Sequence, residues 1–212
     1  MNEGNVRQAV CGCDEAGRGP VIGPMVIAIV CGDEAVLRNL GVRDSKKLSE
    51  SRREFLYDKI LNVSQWVDYR IVTEEEIDRA VSNNGLNILE ANIISKMIKP
   101  GTVCLVDCPD VNEGRFTELL VRLSGNVHVR AEHKADEKYP AVSAASIIAK
   151  VVRERKISEI KNDLGDFGSG YPSDRRTIEF IKNYYAEHRS LPPHVRKSWK
   201  TINLVKPTLD SY

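Results

Sequence analysis

The sequence predicts an α/β protein with a mixed β-sheet, helices on both faces of that sheet and a helical C-terminal portion. Over residues 102–131 apolar runs alternate with a helical pattern in the order strand, helix, strand, which favours a parallel pair of strands. Two earlier apolar runs are separated by a glycine- and proline-rich turn, as in a hairpin with a widened loop. After residue 131 the patterns are helical.

The composition is that of an ordinary folded protein, with one large domain or one domain and a small helical appendage. The 212 residues are 42% hydrophobic and 29% charged, and the formal net charge is +1. A global basic field is therefore excluded, and any nucleic-acid partner must be held by a local patch. No apolar run approaches the roughly 20 residues that span a bilayer, and the N-terminus is too polar for a signal peptide. We expect a cytoplasmic protein without a membrane partner.

The first half of the chain carries three strand patterns and two helical ones. The predicted strands are residues 10–13, 21–31 and 65–72. Thr73 and Glu76 form a capping-box pattern that opens a helix ending near residue 81. A second helix is predicted over residues 87–98 from the spacing of its apolar residues, and it ends before Pro100. Further upstream, Ser49 or Ser51 could cap a helix.

The second half alternates strands and helices and then continues as helices. The predicted elements are a strand at 102–107, a helix at 113–123, a strand at 127–131, a long helix at 142–160 and a helix at 174–185 capped by Ser173. In the long helix the charged residues concentrate in the second half, so Arg153, Arg155 and Lys156 are expected on a solvated face. Beyond Pro193, basic residues predict a patch that grips a duplex; they are His194, Arg196, Lys197 and Lys200.

Three of the apolar runs lead into acidic residues. These residues are Asp14, Glu15, Asp107 and Asp136. Carboxylates at the mouths of neighbouring buried strands are how proteins gather oxygen ligands for Mg²⁺ or Mn²⁺. Each acid taken alone is more simply a cap or a turn residue, but the set indicates a metal centre. Asp14 and Glu15 can serve one site only if their strand ends there, an ending that the glycines just beyond would supply.

Two other readings of local motifs are less favoured. The glycines at 17, 19 and 23 could suggest a dinucleotide-binding loop, but prolines and a strand pattern follow them where that loop requires a helix. The five cysteines form no CxxC pair and lie mostly within or beside apolar runs. We therefore expect them to be small buried hydrophobic residues, without a disulfide or a zinc site. The four histidines show no zinc-binding spacing.

Five motifs occur in order along nearly the whole chain. They are DEAGRGPVIGPM (14–25), DSKKLS (44–49), KADEKYPAVSAASIIAK (134–150), GSGYPSD (168–174) and SWKT (198–201). Together with the strand that ends at Asp107, they resemble ribonuclease HII of the archaeal type. The resemblance implies a ribonuclease H-like fold. Residues 1–160 would form the catalytic domain, and 161–212 a helical portion that packs on it and grips the substrate.

The resemblance also implies an activity and its residues. The activity is metal-dependent endonucleolytic cleavage of RNA in RNA–DNA hybrids and at single ribonucleotides in duplex DNA, leaving 5′-phosphate and 3′-hydroxyl ends, in DNA replication and repair. By motif, Asp14, Glu15, Asp107 and Asp136 would be the catalytic and metal-binding carboxylates. Two divalent ions, Mg²⁺ or Mn²⁺, roughly 4 Å apart would activate water and stabilise the leaving 3′-oxygen.

Substrate selection requires a reader of the ribose 2′-hydroxyl. The resemblance gives this role to the backbone of Gly17, Arg18 and Gly19 and to Tyr171, whose hydroxyl can bond the 2′-hydroxyl while its ring packs on the next sugar. Lys46, in a loop before a helix, suits a phosphate contact. One departure from the family is a cysteine beside two catalytic positions, at Cys13 and Cys108. Strand alternation predicts that Cys13 points away from the metal site.

Two other function classes compete with a ribonuclease. A non-catalytic nucleic-acid-binding module would have lost some of the acids, and all four are present. A metal-dependent phosphatase for small substrates would have no use for Tyr171 or for the basic tail. We expect a monomer, and the sequence leaves open the preferred metal, the ranking of hybrids against single ribonucleotides, and a contact with a sliding clamp.

Overall fold

The strands form one five-stranded sheet. The structure is a computed structural model that describes residues 10–42, 48–83 and 85–202. Its strands are β1 (Val10–Ala16), β2 (Met25–Gly32), β3 (Trp66–Val72), β4 (Val103–Asp107) and β5 (Val129–Glu132). Their order in the sheet is β3-β2-β1-β4-β5. Lys46, the predicted phosphate contact, lies outside the described residues.

Strand directions make the sheet a mixed one. β1 pairs with β4, and β4 with β5, in parallel. The parallel pairing predicted from the strand–helix–strand order is therefore confirmed. At the other side of the sheet, Gln65 N–H donates to Cys31 O over 2.9 Å, which puts the start of β3 beside the end of β2. These two strands accordingly run antiparallel.

Eight helices lie within the described ranges. They are α1 (Glu34–Asn39), α2 (Glu50–Val63), α3 (Glu74–Ser82), α4 (Leu86–Met97), α5 (Glu113–Ser124), α6 (Ala135–Lys138), α7 (Pro140–Leu164) and α8 (Arg175–His188). Thr73 and Glu76 form the predicted capping box of α3, and Ser49 caps α2. The predicted cap of α8 at Ser173 is wrong, because the Asp174 carboxylate accepts the Arg176 N–H instead. No helix in this part of the chain is long and apolar enough to cross a membrane.

Two predicted strand limits are wrong. β1 continues to Ala16 instead of ending at residue 13. β2 begins at Met25 instead of residue 21, because the backbone before it bonds elsewhere: Val21 N–H donates to Gly170 O over 2.7 Å, and Ile22 bridges to Val195. The short helices α1 and α6 were not predicted, since neither is long enough to show a periodic pattern.

Internal contacts divide the chain into two compact units. Unit 1 contains the described residues of Met1–Ala16, Ile27–Arg70 and Glu90–Val151. Unit 2 contains those of Gly17–Val26, Ile71–Leu89 and Val152–Tyr212. The predicted boundary after residue 160 stays a prediction.

In unit 1 the start of α7 packs directly on β1 because of Gly12. A Cβ at Gly12 would lie 2.1 Å from the Val142 nitrogen, a separation that no side chain could accommodate. Glycine therefore permits backbone-to-backbone contact between the strand and the helix. The same contact brings the first turns of α7 close to the end of β1, where two of the acids lie.

The expectation of no disulfide is wrong. Cys11 and Cys31, on the neighbouring strands β1 and β2, form a disulfide with their Cα atoms 4.0 Å apart. Cysteine spacing does not show which strands are neighbours in a sheet, so this pair could not be predicted from it. The other cysteines are free: Cys13 and Cys104 are buried and Cys108 is partly exposed.

Unit 2 has its own apolar core. Its fully buried members include Val21, Ile22, Phe167, Ile181 and Ile202. The segment before β2 therefore supplies core side chains to the C-terminal helices of the same unit. This packing fixes the backbone of residues 21–22, directly after the glycine loop.

Candidate active site

In unit 1 the parallel register of β1 and β4 brings Asp14 beside Asp107. Cys13 is the partner of Val106, and Asp14 and Asp107 are the residues that directly follow these two on their strands. Because β1 continues through Ala16, Asp14 is buried whereas Glu15 is half-buried. The prediction that the strand ends before the acids is therefore wrong. Glu15 and Asp107 nevertheless both lie close enough to Asp14 to raise its pKa.

Asp136 reaches the same region through the short helix α6, which follows β5. The Ala135 N–H donates to Asp107 Oδ1 over 2.8 Å, so the residue before Asp136 is bonded to the β4 carboxylate. Lys134, the N-cap of α6, has φ 56°, the left-handed conformation that is uncommon for a residue with a Cβ. Asp136 itself is buried. The contact between Asp107 and Ala135 thus sets where α6 begins.

Asp14 carries the clearest electrostatic signature of the site. Burial, followed by the negative charges of Glu15 and Asp107, raises the pKa of Asp14 well above its usual range. Hydrogen bonds from Ser146 and from the Glu15 backbone N–H, the latter over 2.7 Å, act in the opposite direction. The negative charges of Glu15 and Asp107 therefore both disfavour the ionised form of Asp14 at this edge of the sheet.

The donor set fits a divalent cation in its chemistry. Within residues 10–42, 48–83 and 85–202, no three His, Cys, Asp or Glu side chains stand in an arrangement that could hold a metal ion as they are. The raised pKa of Asp14 nevertheless indicates that carboxylates of β1 and β4 lie close enough to repel each other. Oxygen ligands with excess negative charge are what Mg²⁺ and Mn²⁺ require.

Ser146 is a residue of the site that sequence reasoning missed. It is buried on α7, one turn after the Gly12 contact, and its hydrogen bond to Asp14 lowers the pKa of that carboxyl. A signal was present in the sequence, because Ser143 and Ser146 are polar residues at i and i+3 in an otherwise apolar helical stretch. Ser143 has a different role: its hydroxyl bonds to Val42 O.

Glu132 braces the turn that carries Asp136. Its carboxylate is buried and accepts Lys138 Nζ over 2.9 Å and Tyr139 OH over 2.8 Å. These hydrogen bonds, first that of Lys138 and then that of Tyr139, lower the pKa of Glu132. Glu132 stays charged, but its oxygens are occupied by residues two and three positions beyond Asp136. It is a support for α6 and not one of the predicted ligands.

A second brace holds the loop after Asp107. The Arg115 guanidinium bonds both oxygens of the buried Asp110 carboxylate, over 2.5 and 2.8 Å. On the other side, His133 Nε2 lies 2.7 Å from Asp110 O, and the Glu113 carboxylate accepts the His133 N–H. The loop that follows β4 is thereby tied to the residue preceding Lys134.

In unit 2 the glycine loop and Tyr171 lie side by side. Gly19 and Tyr171 are both exposed, and Tyr171 Cε1 lies 3.5 Å from the position that a Cβ on Gly19 would occupy. Gly17 has φ 87°, and a Cβ there would lie 2.1 Å from Arg153 Nε. The loop therefore needs glycine at 17 for its conformation and for this close approach. The structure brings together the residues predicted to read the sugar.

Two arginines of unit 2 are buried against this loop, contrary to expectation. Arg153 was expected on a solvated face and Arg196 in an exposed basic patch, but Arg153 is 9% exposed and Arg196 is 0% exposed. Burial lowers the pKa of both, and for Arg196 burial followed by the charge of Arg153 lowers the pKa to about 9. Because arginine is not deprotonated in proteins at neutral pH, both guanidiniums remain charged. Neither forms an ion pair within the described residues.

The family model for ribonuclease HII matches residues 11–202. The chain belongs to the ribonuclease HII family. A relative named ribonuclease HII in Thermoplasma volcanium is 46% identical over 202 residues, which are 95% of this chain and 94% of the relative. The ribonuclease HII of Pyrococcus furiosus is 45% identical over 205 residues, with 93% and 91% covered. The chain is thus an enzyme, a ribonuclease H of the hydrolase class.

Solved structures agree with the ribonuclease HII assignment. Ribonuclease H2 from Pyrococcus horikoshii superposes with a TM-score of 0.88 at 43% identity, covering 97% of this chain and 100% of that one. The ribonuclease HII in a PCNA complex from Archaeoglobus fulgidus gives 0.83 at 46% identity, covering 90% and 94%. A ribonuclease HIII solved with Mn²⁺ gives 0.79 at 18% identity, covering 97% and 71%, which shows a shared fold. The predicted ribonuclease H-like fold is confirmed.

Proposed function

We propose that this chain is a divalent-metal-dependent endonuclease that cleaves RNA in RNA–DNA hybrids and at single ribonucleotides embedded in duplex DNA. It would cleave on the 5′ side of the ribonucleotide and leave 5′-phosphate and 3′-hydroxyl ends. The observation that carries the proposal is the parallel register of β1 and β4, which brings Asp14 and Asp107 to the same edge of the sheet. The raised pKa of Asp14, caused by burial and by the charges of Glu15 and Asp107, supports it. Membership of the ribonuclease HII family supports the same reaction.

Four carboxylates would hold the metal ions, Mg²⁺ or Mn²⁺. They are Asp14, Glu15, Asp107 and Asp136. Bound there, two divalent ions would lower the pKa of a water and offset charge on the phosphate. The protein's own contribution is to fix these carboxylates before substrate arrives. Ser146 orients Asp14, and the Ala135 N–H orients Asp107. Glu132 braces the turn of Asp136.

The residues of unit 2 would select the ribose. The exposed Tyr171 hydroxyl is a donor and acceptor suited to a 2′-hydroxyl, and its ring is an apolar surface suited to a deoxyribose. The backbone of Gly17, Arg18 and Gly19 would supply N–H donors to the same sugar or its phosphate. The contact between Tyr171 and Gly19 supports a joint role. Lys46 stays a proposed phosphate contact.

The test is cleavage of a labelled duplex that carries one ribonucleotide. We expect a single cut in the presence of Mg²⁺ or Mn²⁺, none with EDTA, and none in the all-DNA duplex of the same sequence. End-labelling then distinguishes 5′-phosphate from 5′-hydroxyl products. Metal-independent cleavage, or turnover of a panel of small phosphomonoesters in place of the duplex, would contradict the proposal.

We also propose a contact with a sliding clamp and a monomeric, cytoplasmic enzyme. The Archaeoglobus fulgidus ribonuclease HII, 46% identical to this chain, was solved in a complex with PCNA. Size-exclusion chromatography of the chain alone and with an archaeal clamp tests the monomeric state and the clamp contact. Elution of the free chain as a dimer would contradict the monomer, and separate elution of the two proteins at micromolar concentration would contradict the clamp contact.

A further inference from the structure

The carbonyl groups of the glycine loop are held by a segment near the C-terminus of the same unit. Arg196 donates to three of them: Nη2 to Gly17 O over 2.6 Å, Nη1 to Arg18 O over 3.0 Å and Nε to Gly23 O over 2.9 Å. Trp199 Nε1 donates to Gly19 O over 3.0 Å. Each of the three carbonyls of Gly17–Gly19 therefore accepts a hydrogen bond from the side chain of Arg196 or Trp199.

The backbone of this segment extends the same attachment. Arg196 N–H donates to Val21 O over 2.8 Å, and Gly23 N–H donates to His194 O over 2.9 Å. The indole of Trp199 lies under the guanidinium, with Arg196 Cζ 4.9 Å from the ring centroid. Arg196 is thus held by its backbone N–H, by the hydrogen bonds of its guanidinium to the loop carbonyls, and by the Trp199 ring against one face of the guanidinium.

The segment is itself anchored to α3. The Asp78 carboxylate accepts the N–H groups of Lys197 and Ser198, each over 2.9 Å, and the Ser198 hydroxyl over 2.5 Å. The charges of Glu74 and Asp78 also raise the pKa of Arg196, against the larger effect of burial. These bonds to Asp78 hold the segment that carries the buried guanidinium in place, whereas Gly19 of the loop is exposed to solvent.

This arrangement decides which way the loop presents its N–H groups. The described residues contain no cis peptide bond, and a trans peptide unit carries C=O and N–H on opposite sides. Since Gly17 O and Arg18 O point to Arg196, the N–H groups of Arg18 and Gly19 in those same peptide units point away from it. The next unit ends in Pro20, which has no N–H.

We propose that Arg196, together with Trp199, is a positioning residue for the Gly17–Gly19 loop and thereby for recognition of the ribose. The proposal rests on the proposed function, in which this loop contacts the sugar. Two consecutive N–H groups directed away from a buried cation form a donor pair suited to an oxygen of the ribose or phosphate. The buried charges of Arg196 and Arg153 add a positive field behind these donors.

The test compares substitutions that remove defined bonds. Arg196→Lys keeps the charge and loses the planar fork, Arg196→Met loses both, and Trp199→Phe keeps a ring and loses the single N–H bond to Gly19. Trp66→Phe, at the other tryptophan, and Arg122→Lys, on the exposed side of α5, are matched controls. Trp199→Phe is the mildest variant and keeps the proposal testable if Arg196→Met does not fold.

The readouts separate positioning from general stability. For the duplex with one ribonucleotide we expect KM to rise about threefold to tenfold in Trp199→Phe, the loss typical of one hydrogen bond, and more in Arg196→Lys and Arg196→Met. Affinity for the all-DNA duplex and for Mn²⁺ should change less than about twofold, and the Arg18 and Gly19 amide resonances should shift. Wild-type KM and unshifted amides in Trp199→Phe and Arg196→Lys would overturn the proposal.

Failure of the proposed function has a different outcome. If the wild-type chain does not cleave the ribonucleotide duplex, the function is wrong whatever the variants do. If the wild type cleaves and the variants match it in KM and in amide spectra, only the positioning role is wrong. A uniform loss for all substrates, with weakened Mn²⁺ binding, would also reject that role and indicate unfolding instead.

Discussion

The carboxylates of unit 1 and the glycine loop of unit 2 reach their positions by opposite electrostatics. Asp14 is buried beside the like charges of Glu15 and Asp107, which makes its ionised form unfavourable. The loop instead gives neutral carbonyls to a buried cation, Arg196, with every bond between 2.6 and 3.0 Å. The proposed metal ions would offset the charges of the first arrangement, whereas a cation of the protein itself holds the second.

The difference indicates what each region does before substrate arrives. Repulsion between buried carboxylates lowers the free energy of unfolding, and a divalent ion bound there, as proposed, would remove that repulsion. A loop whose carbonyls are already hydrogen-bonded is preorganised, so a ligand would add little to its stability. We therefore expect substitutions of the carboxylates in unit 1 to raise stability while lowering activity. Substitutions around the loop in unit 2 should affect substrate recognition.

The largest expected effect is the loss of cleavage in Asp14→Asn or Asp107→Asn. In the proposed mechanism each substitution removes one charged ligand of the divalent ions, so we expect kcat to fall on the order of a thousandfold or more. Single-turnover cleavage of the ribonucleotide duplex at saturating Mg²⁺ measures it. Asp58→Asn, an exposed acid on α2, should leave kcat unchanged. Wild-type turnover in Asp14→Asn would remove the metal-site assignment.

The second prediction concerns the stability of the metal-free protein. Because the folded pKa of Asp14 lies above its unfolded value, its contribution to stability is present below the ordinary pKa of 3.8 and is lost as pH rises through the folded pKa. Asp14→Asn should therefore raise the melting temperature at pH 7, by about 2–4 °C for each kcal/mol of repulsion relieved. The difference should vanish near pH 4.

Metal provides the control for this second prediction. Mg²⁺ or Mn²⁺ at about 100 times its Kd should stabilise the wild type by about 2.7 kcal/mol and stabilise Asp14→Asn less. Differential scanning calorimetry with and without EDTA measures both proteins. An Asp14→Asn variant that melts below the metal-free wild type at pH 7 would show that the carboxylates of unit 1 do not repel one another.

A smaller effect is expected at Tyr171. Tyr171→Phe loses the hydroxyl and Tyr171→Ala loses the ring as well, so Ala should be the worse variant. For a single embedded ribonucleotide the loss of kcat/KM should be about tenfold to a hundredfold, the scale of base–aromatic stacking, and it should be less for a continuous hybrid. Tyr69→Ala, at 44% exposure against 42% for Tyr171, is the matched control. If Tyr171→Ala cleaved both substrates with the kcat/KM of the wild type, the role of Tyr171 would be limited to packing.

The smallest effect concerns the loop that carries Tyr171. Hydrogen bonds from Ser169, first from its backbone N–H, lower the pKa of Asp174 to about 2. The stability from this carboxylate is present above pH 3.8 and is lost as pH falls through about 2. Asp174→Ala should speed amide exchange at Ser169 and Arg176 a few-fold, whereas exposed Asp163→Ala should not. Unchanged exchange at Ser169 would show that Asp174 does not hold this loop.

Sequence patterns predicted what depends on local order. The strand–helix–strand alternation gave the parallel pairing of β4 and β5, and the spacing of Thr73 and Glu76 gave the capping box. The strand ends predicted that Asp14 and Asp107 would approach each other, and the register supports it. These features depend on residues that are near one another in sequence, or on which residues follow the carboxyl end of a strand.

The remaining features depend on partners distant in sequence. Arg196 lies 173 residues from Gly23, whose carbonyl it holds, and its surroundings are apolar only because the chain returns there. A basic residue among other basic residues reads as exposed from sequence alone. Cys11 and Cys31 likewise become partners only because β1 and β2 are neighbours in the sheet.

The disulfide has a practical consequence for handling the enzyme. Cys11 and Cys31 close a covalent ring, 20 residues apart in sequence, which contains Asp14, Glu15 and the glycine loop. One protease cut between the two cysteines leaves both fragments attached through sulfur. Nicked molecules therefore run at full mass in non-reducing denaturing gels, and a reductant releases the N-terminal peptide. An inactive preparation broken inside this ring looks intact until it is reduced.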